Sequence, residues 1–248
     1  MKSMGLKEII EKSIDLIAEY VDNLITEDKT SRNILEAFCK EWIDTFKLLK
    51  EKVLTSVGWP ALFEIFVLYA VKKKIEKCLG VSFDIEEFTN NVYHFVAHKN
   101  EKKIFVGRNI AYSQFKKEEN GKSRKIVTPD IVVGVASEEK KEPEKFIALF
   151  EVKTWCDTPS FKVMYKYEEL LNKLRSNNNY PMLFFIFCGF AAKKLIDQFT
   201  DLARKGNIFI DFHRSKDTKQ IELEKLEPYR LSLNDALDKI CDALRKFL

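Results

Sequence analysis

Histidine is scarce in this chain, with three in 248 residues, at positions 94, 98 and 213. That scarcity leaves little room for a histidine-driven mechanism. His94 and His98 stand four apart, but no third ligand lies nearby, so they read as structural or surface residues. The five cysteines, at 39, 78, 156, 188 and 241, are widely scattered. Their odd number and the lack of any Cys-x-x-Cys spacing argue against a disulfide framework and against a zinc site. A reducing, cytoplasmic setting follows as the expectation. No apolar run is long enough to span a membrane, and Met1-Lys-Ser-Met-Gly-Leu-Lys-Glu lacks the apolar core of a secretion signal. The formal net charge is only +4, too mild to announce a polyanion partner by itself, so the placement of charge matters more. No helix-turn-helix or zinc-finger pattern signals base readout. Internal repeats are missing as well.

What the chain does have is a substantial apolar fraction, 46%, enough for a sizeable core. Its length suits one domain, or one domain with an added subdomain. The heavy lysine and glutamate load is a weak mark of a hot-growing source.

The most informative stretch runs from Pro129 to Lys153. Pro129-Asp130 opens the apolar run Ile-Val-Val-Gly-Val at 131–135, and a charged loop leads to Phe146-Ile-Ala-Leu-Phe150, which ends in Glu151-Val152-Lys153. Two short apolar segments around a polar loop read as neighbouring strands. Side chains alternate along a strand, so Glu151 and Lys153 project from one face. If the strands pair, Asp130 stands beside them, and two carboxylates and an amine meet at one edge of a sheet. An acid-x-Lys triplet is uninformative alone, since chance gives roughly six acid-x-base triplets in a chain of this composition. Glu138-Glu139-Lys140 is such a case, lying in a solvated charge run. Position distinguishes 151–153: a charge at the end of a buried strand needs a partner.

Around that centre the pattern is helical, then mixed. Ile10, Ile14, Ile17, Val21 and Leu24 recur at helical spacing, as do Leu35, Phe38, Trp42, Phe46, Leu49 and Val53. Thr30 or Ser31 can cap the second helix. This N-terminal helical hairpin reads as a packing layer, a dimer interface or a nucleic-acid-positioning arm. Gly58-Trp59-Pro60 opens a further helix, apolar on nearly all sides, in which Glu64 is conspicuous. A buried carboxylate there needs a metal, Lys153 or another lysine.

Residues 92–97 read as a strand or a helix end, and 103–107 and 110–115 as strands. Asn120-Gly121 is the favoured two-residue hairpin turn. It would tip a ribbon, with strands at 110–117 and 124–135, that carries Lys116, Lys117, Lys122, Arg124 and Lys125. Such a tip suits a phosphate backbone, or serves solubility. Thr158-Pro159 starts a helix over 160–175. Met182–Phe187 is apolar enough to be a central strand buried on both faces. A helix over 191–204, a strand over 208–212 and a closing helix over 231–248, capped by Ser232 or Asn234, complete the pattern.

Pro129, Asp130, Glu151 and Lys153 together resemble the PD-(D/E)XK nucleases, the restriction-endonuclease-like superfamily, over residues 59–212. The resemblance implies an α/β (mixed α+β) fold, with a central mixed sheet flanked by helices and a core order of helix, three strands, helix, strand. The helical extension, 1–55, would precede a nuclease-like domain, 56–248. Asp130, Glu151, Lys153 and Glu64 would be the catalytic set. Asp130, Glu151 and the Val152 carbonyl would hold Mg2+, for which Mn2+ can substitute, and Glu64 matches the slot of a further acid. Lys162, Lys166 and Tyr167 are candidates for a site-facing residue on the following helix, with both lysines also candidate nucleic-acid contacts. The Gln-x-x-x-Tyr pattern of the RecB-like branch is absent. The implied activity is metal-dependent hydrolysis of DNA by an endonuclease, with RNA undistinguished and a homodimer open. Two alternatives stand beside it: a nucleic-acid-binding member that does not cleave, and a helical interaction or oligomerisation protein.

Overall fold

A computed structural model describes the backbone of residues 6–26, 34–40, 58–88, 92–156, 158–190, 193–213 and 223–248. Helix α1 spans Leu6–Thr26, residues 34–40 are helical, and α2 spans Gly58–Leu79. Ile17, Val21 and Ile25 of α1 join Leu35, Phe38 and α2's Phe63 and Phe66 in one core. The N-terminal helices are therefore a packing layer on the rest of the chain. The remainder of the second stripe, Trp42, Phe46, Leu49 and Val53, lies outside the described residues, as do the candidate caps Thr30 and Ser31.

Strands β1 (Asp84–Phe88), β2 (Tyr93–Lys99) and β3 (Lys102–Arg108) follow α2. A short ribbon, β4 (Lys116–Glu119) and β5 (Lys122–Lys125), leads to β6 (Ile131–Ser137) and β7 (Lys145–Cys156). Then come α3 (Thr158–Ser176), β8 (Met182–Phe190), α4 (Lys193–Ala203), β9 (Ile208–Phe212) and α5 (Leu233–Arg245). Seven strands form one mixed sheet in the order β1-β2-β3-β6-β7-β8-β9. Pairing is antiparallel from β1 to β7 and parallel from β7 to β9.

Helices cover both faces. Helix α2 packs against α1, α5, β3 and β7, and this crowding on several sides explains why it is apolar almost all round. Helices α3 and α4 close the other face over Leu149, Leu183, Phe185 and Phe187. Strand β8 lies between two parallel neighbours with side chains buried on both faces, as its unbroken apolar run requires. Helix α5 is capped by Ser232, whose hydroxyl accepts from the Asp235 N–H.

Residues 93–99 are strand. The expected strand over 110–115 is instead an extended segment ending in a 3-10 turn, Ser113–Phe115. Tyr112 and Phe115 turn inward against Phe146, and the Phe115 N–H closes the turn on the Tyr112 carbonyl at 3.0 Å instead of entering a ladder. The ribbon is consequently shorter than expected. Its turn has the expected chemistry, with Asn120 at φ 53° and Gly121 at φ 72°, both left-handed.

Cys78 and Cys241 form a disulfide, with Cα atoms 6.3 Å apart and a sequence separation of 163 positions. This overturns the expectation of no disulfide. Packing of α2 on α5 brings the thiols together, and cysteine spacing carries no trace of it. The disulfide also removes the premise on which a reducing compartment was expected. No helix among the described residues is long and apolar enough to cross a membrane.

Candidate active site at the end of the sheet

Strand register brings the separated acids together. Ile131 pairs with both Arg108 of β3 and Phe150 of β7. Asp130 therefore falls opposite Glu151, one step beyond the last antiparallel pair. Its backbone is pinned on both sides: its N–H donates to the Phe150 carbonyl at 2.9 Å, and its carbonyl accepts from the Asn109 N–H at 3.1 Å. Pro129 has no N–H to offer a ladder, which suits a position just before the strand.

Asp130 Oδ2 accepts from the Val152 N–H at 2.7 Å and from Lys153 Nζ at 2.5 Å. The same ammonium lies 2.8 Å from Glu151 Oε1 and 3.2 Å from the Val152 carbonyl oxygen. On its other oxygen, Glu151 accepts from the Tyr167 hydroxyl at 2.7 Å. Tyr167 comes from α3 and is fully buried. Glu151 is also buried, whereas the Lys153 side chain is 30% exposed, so the cluster opens to solvent at the ammonium.

Electrostatics follow from this packing. Burial, reinforced by the charge of Asp130, pushes the Glu151 carboxyl up to about 7, against the lowering pull of Lys153 and Tyr167. Burial alone would lower Lys153, but Glu151 and Asp130 outweigh it and hold the ammonium above its ordinary range. A lysine so held is a cation and not a base.

Glu64 takes a different position from the one expected. Its Oε2 accepts two bonds from Arg108, from Nε at 2.9 Å and from Nη2 at 2.7 Å. Arg108 shares a strand face with Ile104 and Val106, which pack toward α2. The cation that a buried carboxylate on α2 required is thus an arginine at the end of β3. Burial first, then the charge of Asp130, raise the Glu64 carboxyl, so its charge still reaches the cluster across the sheet end. Arg108 was not among the candidates. The rule that a buried charge needs a partner applies to it as well as to Glu151, which lies within β7 and not, as expected, at its end, because β7 pairs with β8 as far as Cys156.

Of the other candidates, Lys116, Lys122, Arg124 and Lys125 are exposed on the ribbon. Lys117 pairs with Glu169 of α3 at 2.6 Å and Arg124 with Glu119 at 3.0 Å. Lys173 of α3 donates to the Lys116 carbonyl, so the ribbon is tied to the helix that carries Tyr167. Lys166 is exposed on α3, and the Lys162 side chain lies outside the described residues. His94 faces Glu86 at 3.2 Å and His98 bonds Glu138 at 2.6 Å, each in a separate setting.

No family model, curated protein or solved structure matches this chain. Among the described residues no three His, Cys, Asp or Glu side chains gather into a ready metal cage. What the cluster offers is two carboxylates and a carbonyl turned toward one point, where the Lys153 ammonium sits. Hard oxygen donors in that number suit magnesium, which needs only one or two carboxylates and keeps several waters. The fit holds on one condition, that the lysine side chain swings away from that point.

Proposed function

We propose that the chain is a metal-dependent phosphodiesterase, an endonuclease that hydrolyses DNA from a PD-(D/E)XK-type site. One observation carries the reading: Asp130 Oδ2, Glu151 Oε1 and the Val152 carbonyl converge on a single, part-exposed cationic position where the β6–β7 ladder ends. The order of elements adds support. Helix α2, the antiparallel run β3-β6-β7, then α3 and the parallel strand β8 follow the sequence helix, three strands, helix, strand.

Phosphodiesters resist hydrolysis because their charge repels an anionic nucleophile and an alkoxide leaves poorly. A magnesium ion held by Asp130, Glu151 and the Val152 carbonyl would neutralise phosphate charge and make a bound water more acidic. The chain's own residues prepare for it. The Val152 N–H fixes one oxygen of Asp130, and Tyr167 fixes one oxygen of Glu151, which leaves Glu151 Oε1 directed at the cation position. Lys153, once displaced, remains a permanent donor for a phosphate oxygen or the attacking water, acting through charge. Arg108 and Glu64 lock the end of β3 beside Asp130. Lys116, Lys122, Arg124 and Lys125 on the ribbon give the polyanion a docking edge.

The test is cleavage of linear duplex, nicked, single-stranded and branched DNA, with an RNA control, in magnesium or manganese, by wild type and by Asp130→Asn. Cutting that requires the metal and is lost in the variant is expected. If every substrate survives while the protein still binds DNA, the chain is a non-cleaving binder. Survival without binding removes the nucleic-acid reading entirely.

A further inference from the structure

A second pair of cysteines lies apart from the site. Cys39, in the helical segment 34–40, and Cys188, on β8, have their sulfurs 3.0 Å apart. Both are buried, and Cys39 is fully so. Two unbonded sulfurs do not normally approach so closely, and a covalent S–S bond would need a further approach of only about 1 Å. The elements that carry them are already fixed. Leu35 and Phe38 are packed in the core, and the Ile34 N–H donates to Asn234 Oδ1 of α5 at 2.9 Å.

We propose that Cys39 and Cys188 are a second disulfide of this protein, stapling the N-terminal helical layer to the strand beside β7. The Cys78–Cys241 bond shows that the chain is built to carry a disulfide in this same helical layer. Two other uses of a buried cysteine pair fit less well. Among the described residues no third histidine, cysteine or carboxylate completes a metal site around it. Nor is reduced Cys39 a reactive nucleophile: a hydrogen bond with the Cys188 thiol, then burial, raise its thiol far above the ordinary range.

Burial of both sulfurs dictates when the bond forms, since an external disulfide cannot reach them once the chain has folded. Exchange proceeds through a thiolate, so the reaction belongs to the folding chain, before segment 34–40 closes on β8. One cysteine thiolate attacks a low-molecular-weight disulfide such as oxidised glutathione and releases one of its thiols. The second cysteine thiolate then attacks the mixed disulfide and releases the other. Two cysteine thiols are oxidised, one external disulfide is reduced to two thiols, and the protons pass to them.

The full chain is unfolded, reduced and refolded in a glutathione redox buffer, quenched with acid, then alkylated in denaturant without reductant. Mass analysis should find a reducible peptide pair joining Cys39 to Cys188, with Cys156 as the one alkylated position of the five cysteines. In Cys39→Ser, Cys188 should gain the label while Cys78 and Cys241 stay linked. Label on both Cys39 and Cys188 in the wild type, or either cysteine found with any other partner, overturns the proposal.

Discussion

Replacing Lys153 with methionine keeps all but the last atom of the unbranched side chain and deletes the charge that Asp130 and Glu151 share. Both carboxylates are nearly enclosed, with side-chain exposures of 12% and 5%. Removing one partner of a buried ion pair costs about 3–5 kcal/mol. The 30% exposure of Lys153 places this case at the lower end, about 3 kcal/mol. For a chain of this size that is a fall of roughly 6–12 °C in Tm. The loss depends on pH. With the ammonium present, burial and then Asp130 already push Glu151 up to about 7. At pH 6 Glu151 is therefore mostly protonated with or without the lysine and the loss is smaller, whereas at pH 8 the wild type holds a charged pair that the variant breaks. The assay is thermal unfolding at pH 8, in EDTA and in magnesium. If the three oxygens form a cation site, magnesium at a hundredfold over its Kd restores about 2.7 kcal/mol to the variant. It stabilises the wild type less, because there it must displace the lysine. A variant that unfolds at the wild-type temperature in EDTA, or one that magnesium does not stabilise more than wild type, refutes the reasoning.

Tyr167→Phe removes the buried donor to Glu151; it is expected to cost about 1.5–3 kcal/mol in urea unfolding and to weaken magnesium binding in calorimetry. Charge reversal of Lys122 and Lys125 to glutamate should weaken DNA binding on every sequence alike. It should also flatten the salt dependence by about one unit of slope for each phosphate no longer neutralised, measured by fluorescence anisotropy. Magnesium affinity of the wild type should rise by about tenfold per pH unit below about 7 and level off above it, as Glu151 gives up its proton. The metal-free protein should behave in the opposite sense. The folded-state value of Glu151 lies above its unfolded value, so this contribution to stability is full below about pH 4.3 and declines as pH climbs to about 7. A flat calorimetric profile between pH 5.5 and 8 would contradict both trends.

Much of the fold could be read along the chain, because the local rules there act without competition. The alternation and apolar runs at 131–135, 146–150 and 182–187 became β6, β7 and β8, and Asn120-Gly121 made its turn. The readings that failed did so where a distant neighbour outweighed the local pattern. Residues 110–115 have strand chemistry, yet Tyr112 and Phe115 gain more by burial beside Phe146 than by joining a ladder. Spacing said nothing of Cys78 and Cys241, since they stand 163 positions apart and only helix packing joins them.

The candidate site divides in the same way. Sequence alone determined that Asp130 stands just before one strand, that Glu151 and Lys153 share a face of another, and that Glu64, an acid in an apolar helix, needs a cation; that β7 runs on past Lys153 to Cys156, paired with β8, instead of ending at 151–153, was not legible. Tertiary structure decided the partners. The register of β6 on β7 sets Asp130 against Glu151, and helix α3 delivers Tyr167 to the far oxygen of Glu151. Helix α2, crossing β3, gives Glu64 to Arg108 instead of to Lys153. Periodicity and burial are properties of a segment, and a few residues suffice to express them. Which charge meets which depends on how segments remote in sequence pack, and no local pattern encodes that.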